Sequence, residues 1–275
     1  MRGRIYRIAR SKTSGARSDG VFFKKESQES FFGSIRRTPD KEKEPVAEKK
    51  KKTIAEENGI TSRQLVKDGS TLAVIDKMFE ASQVLKGYVD PKKNPIAEKG
   101  KFKVEYGYES LLSAYKKCGH SDKLDGKIGG FFCRNTGVIH TVEGFNGKER
   151  TAEFGNLIHE AVHKKSAAML ASIFTPFVNE GVTQYFADKI LEEQGLGAYK
   201  RHEYNDQLEC ATHLVRVAGI DEVAKFYFTG KGSLLDTLNK KLGSELQQAG
   251  LKVITDAIRK DPSPKFFCTM LKNKQ

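Results

Sequence analysis

Apolar residues along this chain fall into helical and strand-like periods, and the type of period changes along its length. From residue 60 to about 86, Leu65, Leu72, Ile75, Met78 and Phe79 keep a rough three-to-four spacing, which predicts a helix with Thr61 or Ser62 as its cap. "KFKVEY" at 101–106 alternates as a strand does, and 108–117 returns to helical spacing. Residues 130–143 predict one or two strands. Between 152 and 173, Phe154, Ile158 and Val162 recur at every fourth position, and Leu157 and Ala161 widen that stripe. A second helix follows, with Thr175 as N-cap, Pro176 at its first position, and Phe177, Val178, Val182, Tyr185, Phe186 and Ile190 on its apolar side. More helices are predicted near 202–218, 221–228, 233–241 and 244–260; Tyr185 and Tyr227 fall in apolar stripes and read as core. Strands mixed with helices come first and helices dominate later, the order of an α+β domain with a small mixed sheet and a helical C-terminal lobe.

Ahead of residue 59 the periodicity lapses. "EKEPVAEKKKK" at 42–52 is charge-dense and poor in apolar residues, the composition of a disordered or transiently helical linker. The predicted organisation is a disordered basic leader over 1–58 and a folded domain over 59–275. Two Phe-Phe pairs, Phe22-Phe23 and Phe31-Phe32, lie in the leader without a core of their own, so they dock on the domain or bind something else.

Charge changes the picture little. The net charge is +13, and residues 1–60 hold 16 Lys/Arg against 9 Asp/Glu, an excess of seven in about a fifth of the chain. The folded part is only mildly basic and carries no RNP, helix-turn-helix or zinc-finger pattern, which argues against nucleic acid as a partner. No run of eighteen apolar residues exists, so no membrane span is expected. The first residues lack the apolar stretch of a secretory signal. Cys118, Cys133, Cys210 and Cys268 are scattered with no CxxC pair, and free thiols are the expectation, with one bridge left open.

Chemistry concentrates on the helix predicted at 152–173, which reads His159-Glu160-Ala161-Val162-His163. Two histidines four apart lie on one helical face, so both imidazoles can reach one metal. Glu160 is offset from them, where it meets the water to be activated instead of the metal. Seventeen positions after His163 comes Glu180, in the first turns of the next helix. A buried carboxylate facing two histidines needs a compensating cation, and zinc supplies it. Zinc hydrolases combine three protein ligands, an open position and a carboxylate that takes the water's proton. The competing readings are a half-buried helix with ordinary hydrogen-bonded histidines, and a solvated Glu180 favoured by a helix N-terminus.

"HEAVH" followed by "FVNEGVTQYFADK" resembles the gluzincin peptidases, the thermolysin-like and neutral aminopeptidase-like zinc enzymes. The resemblance covers roughly residues 125–195. It implies a zincin-like domain with His159, His163 and Glu180 as ligands of one Zn2+ per chain and Glu160 as general base. It also implies that "GGFFCRNTGVIHTV" at 129–142 supplies an edge strand that pairs with an extended substrate. Within that strand His140 points into the cleft or out to solvent. Three features depart from the family, and a fourth sets the chain apart from the metzincins. The gap from His163 to Glu180 is slightly short for an aminopeptidase. The upstream Gly-x-Met-Glu-Asn segment is absent, which argues against exopeptidase action. Gln184 stands where thermolysin-like enzymes have an aspartate that orients a ligand histidine, and no third histidine follows at the metzincin spacing. An oxyanion donor is expected from the helical lobe, with Tyr204 as first choice and His202 as second; His213 is a third, and each also reads as an ordinary polar or helix residue.

The leader, with "VFFKKESQESFFG" at 21–33, resembles those of bacterial proteins associated with extracellular contractile injection systems. That resemblance implies synthesis in a bacterial cytoplasm, loading into a particle through residues 1–58 by its tube or a loading factor, and delivery as a toxin or effector. The expected function is a zinc-dependent endopeptidase acting on a protein or peptide substrate. The alternative is a catalytically silent zincin-fold structural or adaptor component of such a particle.

Overall fold

In the computed structural model the described residues are 52–60, 69–90, 92–120, 129–142, 152–167, 173–197, 204–242 and 265–273. The expectations for the leader ahead of residue 52, the cap at Thr61 or Ser62 with Leu65 on its stripe, the helix near 244–260 and His202 lie outside them. The chain divides near residue 50, and the unit Lys50–Gln275 holds every element described here.

Packing begins earlier than the boundary expected at residue 59. Helix α1 (Ile54–Glu57) is closed by a capping box: the Thr53 hydroxyl accepts from the Glu56 N–H, and the Glu56 carboxylate accepts from the Thr53 N–H. Ala55 and Ile60 are buried, and the Ala55 N–H donates to Gln194 Oε1 at 3.2 Å. Two apolar contacts and one cap fix a segment whose lysine-rich surroundings predicted none. Helix α2 (Gly69–Ala81) buries Leu72, Val74, Ile75, Met78 and Phe79.

Strand β1 (Phe102–Glu105), helix α3 (Tyr108–Lys117), strand β2 (Gly130–Cys133) and strand β3 (Val138–Val142) follow. The sheet order is β1-β3-β2, with β3 parallel to β1 and antiparallel to β2. Strand alternation sorts the side chains as period two requires. Phe102, Phe132 and Ile139 join the main core on one face; Phe131, Cys133 and Val142 cluster with Leu111 of α3 on the other. His140 points neither into a cleft nor to solvent. It is buried on the α3 face, with Nδ1 2.8 Å from Glu105 Oε1 and its ring stacked on Phe131 at 4.7 Å.

Helix α4 (Ala152–Lys165) buries Phe154, Leu157, Ile158, Ala161 and Val162 as its stripe predicts. Its last turn is anchored by two buried lysines. Lys164 Nζ donates to the Pro95 carbonyl at 2.7 Å, and Lys165 Nζ lies 3.4 Å from Asp76, whose carboxylate also accepts from the Ile96 and Ala97 N–H groups. Burial pushes both ammonium groups below their ordinary range. Two cations at this end also oppose the negative pole of the helix.

Helix α5 (Pro176–Glu193) starts at Thr175 and Pro176 as expected, although the Thr175 hydroxyl makes no capping bond. Helices α6 (Asn205–Ala218), α7 (Ile220–Thr229) and α8 (Leu234–Leu242) form the helical lobe, and α9 (Lys265–Asn273) completes it. Helix α9 was not predicted, yet its buried Phe267, Met270 and Leu271 keep an i, i+3, i+4 spacing. Nine helices and a three-stranded sheet among the described residues make an α+β domain. No described helix is long and apolar enough to cross a membrane.

The expectation of free thiols is corrected. Cys118–Cys133 ties the end of α3 to the end of β2, and Cys210–Cys268 ties α6 to α9, with Cα separations of 5.9 and 5.0 Å. Sequence separations of 15 and 58 carry no spacing signature, and the pairing emerges only when the elements pack. Such bonds persist in oxidising compartments.

Helices α5 and α6 touch backbone to side at Gly181. A Cβ there would lie 2.1 Å from the Gln207 carbonyl oxygen, which cannot rotate aside. Gly181→Ala is expected to lower unfolding stability by about 1–3 kcal/mol, the usual cost of overpacking, despite the better helix propensity of alanine. Urea denaturation checks this, and an unchanged midpoint counts against the close approach.

Candidate metal centre and its cleft

Four residues of α4 and α5 converge because both helices turn polar stripes toward each other. On α5, Glu180, Gln184 and Asp188 recur every fourth residue, with Asn179 and Thr183 beside them, and all but Glu180 are buried. On α4, His159, Glu160 and His163 occupy the facing surface and are buried too. Ligand-type atoms of His159, His163 and Glu180 lie within 4.8 Å of one another. Glu180 Oε2 is 3.1 Å from His159 Nε2 and 3.2 Å from His163 Nε2.

The outer nitrogens fix what the inner ones can do. Gln184 Nε2 donates to Asp188 Oδ1 at 2.8 Å, so Gln184 Oε1 faces His159 Nδ1 at 3.0 Å as an acceptor. His159 therefore carries its proton on Nδ1. The Thr183 hydroxyl donates to the Asn179 carbonyl at 2.7 Å, which leaves its oxygen to accept from His163 Nδ1 at 3.2 Å and from the Tyr227 hydroxyl at 2.6 Å. Burial pushes the Tyr227 phenol far up, so it stays a donor. His163 is thus also protonated on Nδ1.

Both neutral imidazoles consequently aim Nε2 lone pairs at a carboxylate. Three acceptors in one place require a cation between them. A proton can serve one histidine, and the electrostatics follow that logic. Burial pulls the His163 imidazole down, but Glu180 outweighs it and raises it. Burial likewise pushes the Glu180 carboxyl up, and the two histidines overcome that and hold it well below the carboxylate range. A divalent metal serves all three groups at once. The 3.1 and 3.2 Å separations are near the ~3.3 Å edge of a tetrahedron with zinc-type bonds of about 2.0–2.1 Å. His159, His163 and Glu180 could thus hold a metal ion, with Gln184 and Thr183 against the outer nitrogens of the two histidines.

A cleft of ≈ 520 Å³ opens over His163 and Glu180, with the Glu180 side chain 31% exposed. Gly130, Phe131 and Phe132 of β2 line one side, and Tyr204 lies at the other. Strand β2 is at the sheet edge, paired with β3 alone among the described residues. Glu160 is 5% exposed and reaches the cleft, and among the described residues no side chain pairs with it. The Tyr204 ring stacks on His159, centroids 5.2 Å apart and 11° from parallel. His213 is buried on α6 and lines a separate depression beside Glu209. Of the residues singled out from sequence, Glu160, His163, Glu180 and Tyr204 line one cleft, and His159 is buried beside it against Glu180 and Tyr204.

Thr183, Asp188, Tyr227 and Arg134 belong to this neighbourhood and were not singled out. Asp188 had a signal, since it continues the four-residue stripe from Glu180 through Gln184. Tyr227 packs in the core as expected, but its hydroxyl reaches the site. No family model, curated protein or solved structure matches this chain. The chemistry of the cleft is therefore argued from its own side chains.

Thr183→Val removes the acceptor shared by His163 and Tyr227 at nearly constant volume. Zinc affinity, measured by competition with a chromogenic chelator, is expected to fall about 10–100-fold and to recover in Thr183→Ser. Equal affinities in all three proteins remove the orienting role.

Proposed function

We propose that the domain over the folded part of this chain is a zincin-like, gluzincin-type endopeptidase that binds one zinc ion through His159, His163 and Glu180. The observation that carries this reading is the set of three acceptors held face to face with both outer imidazole nitrogens already committed. When bound, zinc supplies a Lewis acid that polarises the scissile carbonyl and makes water nucleophilic near neutral pH.

The residues of the chain supply the remainder. Glu160 takes the proton of the attacking water as its oxygen bonds to the carbonyl carbon. The same carboxyl then delivers that proton to the amide nitrogen, which leaves as an amine when the C–N bond breaks. Tyr204 is the donor assigned to the developing oxyanion, supported by its place at the cleft against His159. The outer edge of β2 offers backbone groups to an extended substrate, the strand-addition mode of peptide binding. The absence of an amine-gripping Gly-x-Met-Glu-Asn segment favours internal cleavage.

We also infer delivery as an effector of a contractile injection particle, loaded through the basic leader. The leader's resemblance carries this part. Two disulfides accord with work outside a reducing cytoplasm.

Elemental analysis is expected to give one zinc per chain, lost in Glu180→Ala. Casein cleavage is expected to fall by about 10²–10⁴-fold in Glu160→Gln with zinc retained. Tyr204→Phe keeps the stacking ring and is expected to lose about 10²–10³-fold in kcat with little change in KM, as for a missing oxyanion donor. A wild-type protein that takes up no zinc sinks the assignment. Deleting residues 1–49, which spares α1, is expected to abolish recovery with purified particles while casein cleavage persists; recovery of the deleted protein in particles removes the loading role.

A further inference from the structure

Arg134 stands immediately after β2 and shares the face of Phe132, two residues back, over whose ring its guanidinium lies at 5.9 Å. One of its terminal N–H groups donates to Ser166 Oγ at 3.0 Å. Ser166 in turn donates to the His163 carbonyl at 2.8 Å. Ser166 directly follows the last residue of α4, with only Lys164 and Lys165 between it and His163. Arg134 is therefore an anchored cation beside the last turn of the metal-ligand helix, and its charge is felt at both His163 and Tyr227.

The rest of the guanidinium is uncommitted. Arg134 is exposed, and among the described residues no carboxylate pairs with it. Among the described residues lining the cleft it is the one with a fixed positive charge; the two acids there, Glu160 and Glu180, have other assigned work. A planar fork with several free donors matches a carboxylate in a way that an ammonium does not. A surface arginine without this role needs neither an anchor on Ser166 nor a place in the cleft wall.

Resting on the peptidase reading, we propose that Arg134 selects substrates carrying a carboxylate beside the scissile bond, since it lines the same cleft as Glu160, His163 and Glu180. The carboxylate comes from an Asp or Glu side chain or from a free C-terminus. Both present the same planar anion, and peptide sets separate them.

The test uses full-length zinc-loaded protein and paired fluorogenic peptides: Glu against Gln at each position flanking the cleaved bond, and free acid against C-terminal amide. Wild type is expected to favour the acid of at least one pair by about tenfold in kcat/KM, as for a hydrogen bond to a charged group. The pair that responds identifies the source. In Arg134→Gln that ratio is expected to fall toward one, and in Arg134→Glu the preference is expected to pass to Lys-containing peptides, which structural damage does not produce. The same pairs are titrated by fluorescence anisotropy against zinc-loaded Glu160→Gln, with and without Arg134→Gln. Acid preference in binding that vanishes with Arg134→Gln, without cleavage by wild type, upholds the selection and overturns the peptidase reading. Cleavage with equal use of acid and amide peptides, or a preference that survives Arg134→Gln, overturns the selection and leaves the peptidase reading intact. Neither binding preference nor cleavage overturns both.

Discussion

Three hydrogen-bond acceptors aimed at one point form the constraint on which this structure turns. Glu180 Oε2 lies 3.1 and 3.2 Å from the Nε2 atoms of His159 and His163, contacts that need a proton or a metal cation to be favourable. Something must press them together in advance of any cation. The two helices do so by burying the aliphatic stripes of α4 and α5 against each other and against α6. Gly181 allows α6 to close to backbone contact one residue beyond Glu180. Lys164 and Lys165 pin the far end of α4 to the 92–97 loop and α2. The apolar core thus positions the helices that bring these polar groups together.

The outer nitrogens show how that centre stays ordered in the absence of a directly bonded acidic residue. His159 meets an amide, Gln184, and the charge sits one step further out on Asp188. Such an arrangement fixes the amide by its donor end and thereby fixes the tautomer of the imidazole. It also places less negative charge against the ring than a contacting carboxylate does, so the histidine donates less electron density to a metal. On the other side, one hydroxyl, Thr183, collects hydrogen bonds from His163 and Tyr227 while giving its own to Asn179. Both outer imidazole nitrogens, the Gln184 amide and the Thr183 hydroxyl thus have partners, and a paired buried network of this kind orders a site.

The sequence made part of this legible. Helical spacing put His159 and His163 on one face with Glu160 beside them, the resemblance in the next helix pointed to Glu180, and α3, α5 and the strands at 102–105, 130–133 and 138–142 follow from periodicity and caps. What stayed hidden depends on contacts distant along the chain. Helix α1 survives on one capping box and two buried residues, too little for a composition window to register. Cys210 and Cys268 pair across 58 positions, through a helix that the sequence pattern did not flag. Thr183 and Tyr227 are separated by 44 positions, and neither type of residue is distinctive in a helix. His140 shows the limit of alternation: period two placed it on a face, but which layer covers that face was settled by α3.

The two sides of the cleft are built by different physics. The floor belongs to the main core, which buries whole helical faces and needs no covalent help. The β2 wall rests on a small separate cluster of Leu111, Cys118, Phe131, Cys133 and Val142 under α3. Five buried side chains remove little apolar area from water, too little to fix a helix against a sheet edge by burial alone. The Cys118–Cys133 bond joins the ends of these same two elements. In the chain-entropy account a loop of this size adds about 3 kcal/mol by restricting the unfolded chain. Chemistry that needs fixed ligand geometry therefore sits on the core. The substrate-facing strand packs on the main core through Phe132 and on the α3 cluster through Phe131, and the disulfide beside Arg134 tightens the second of these contacts.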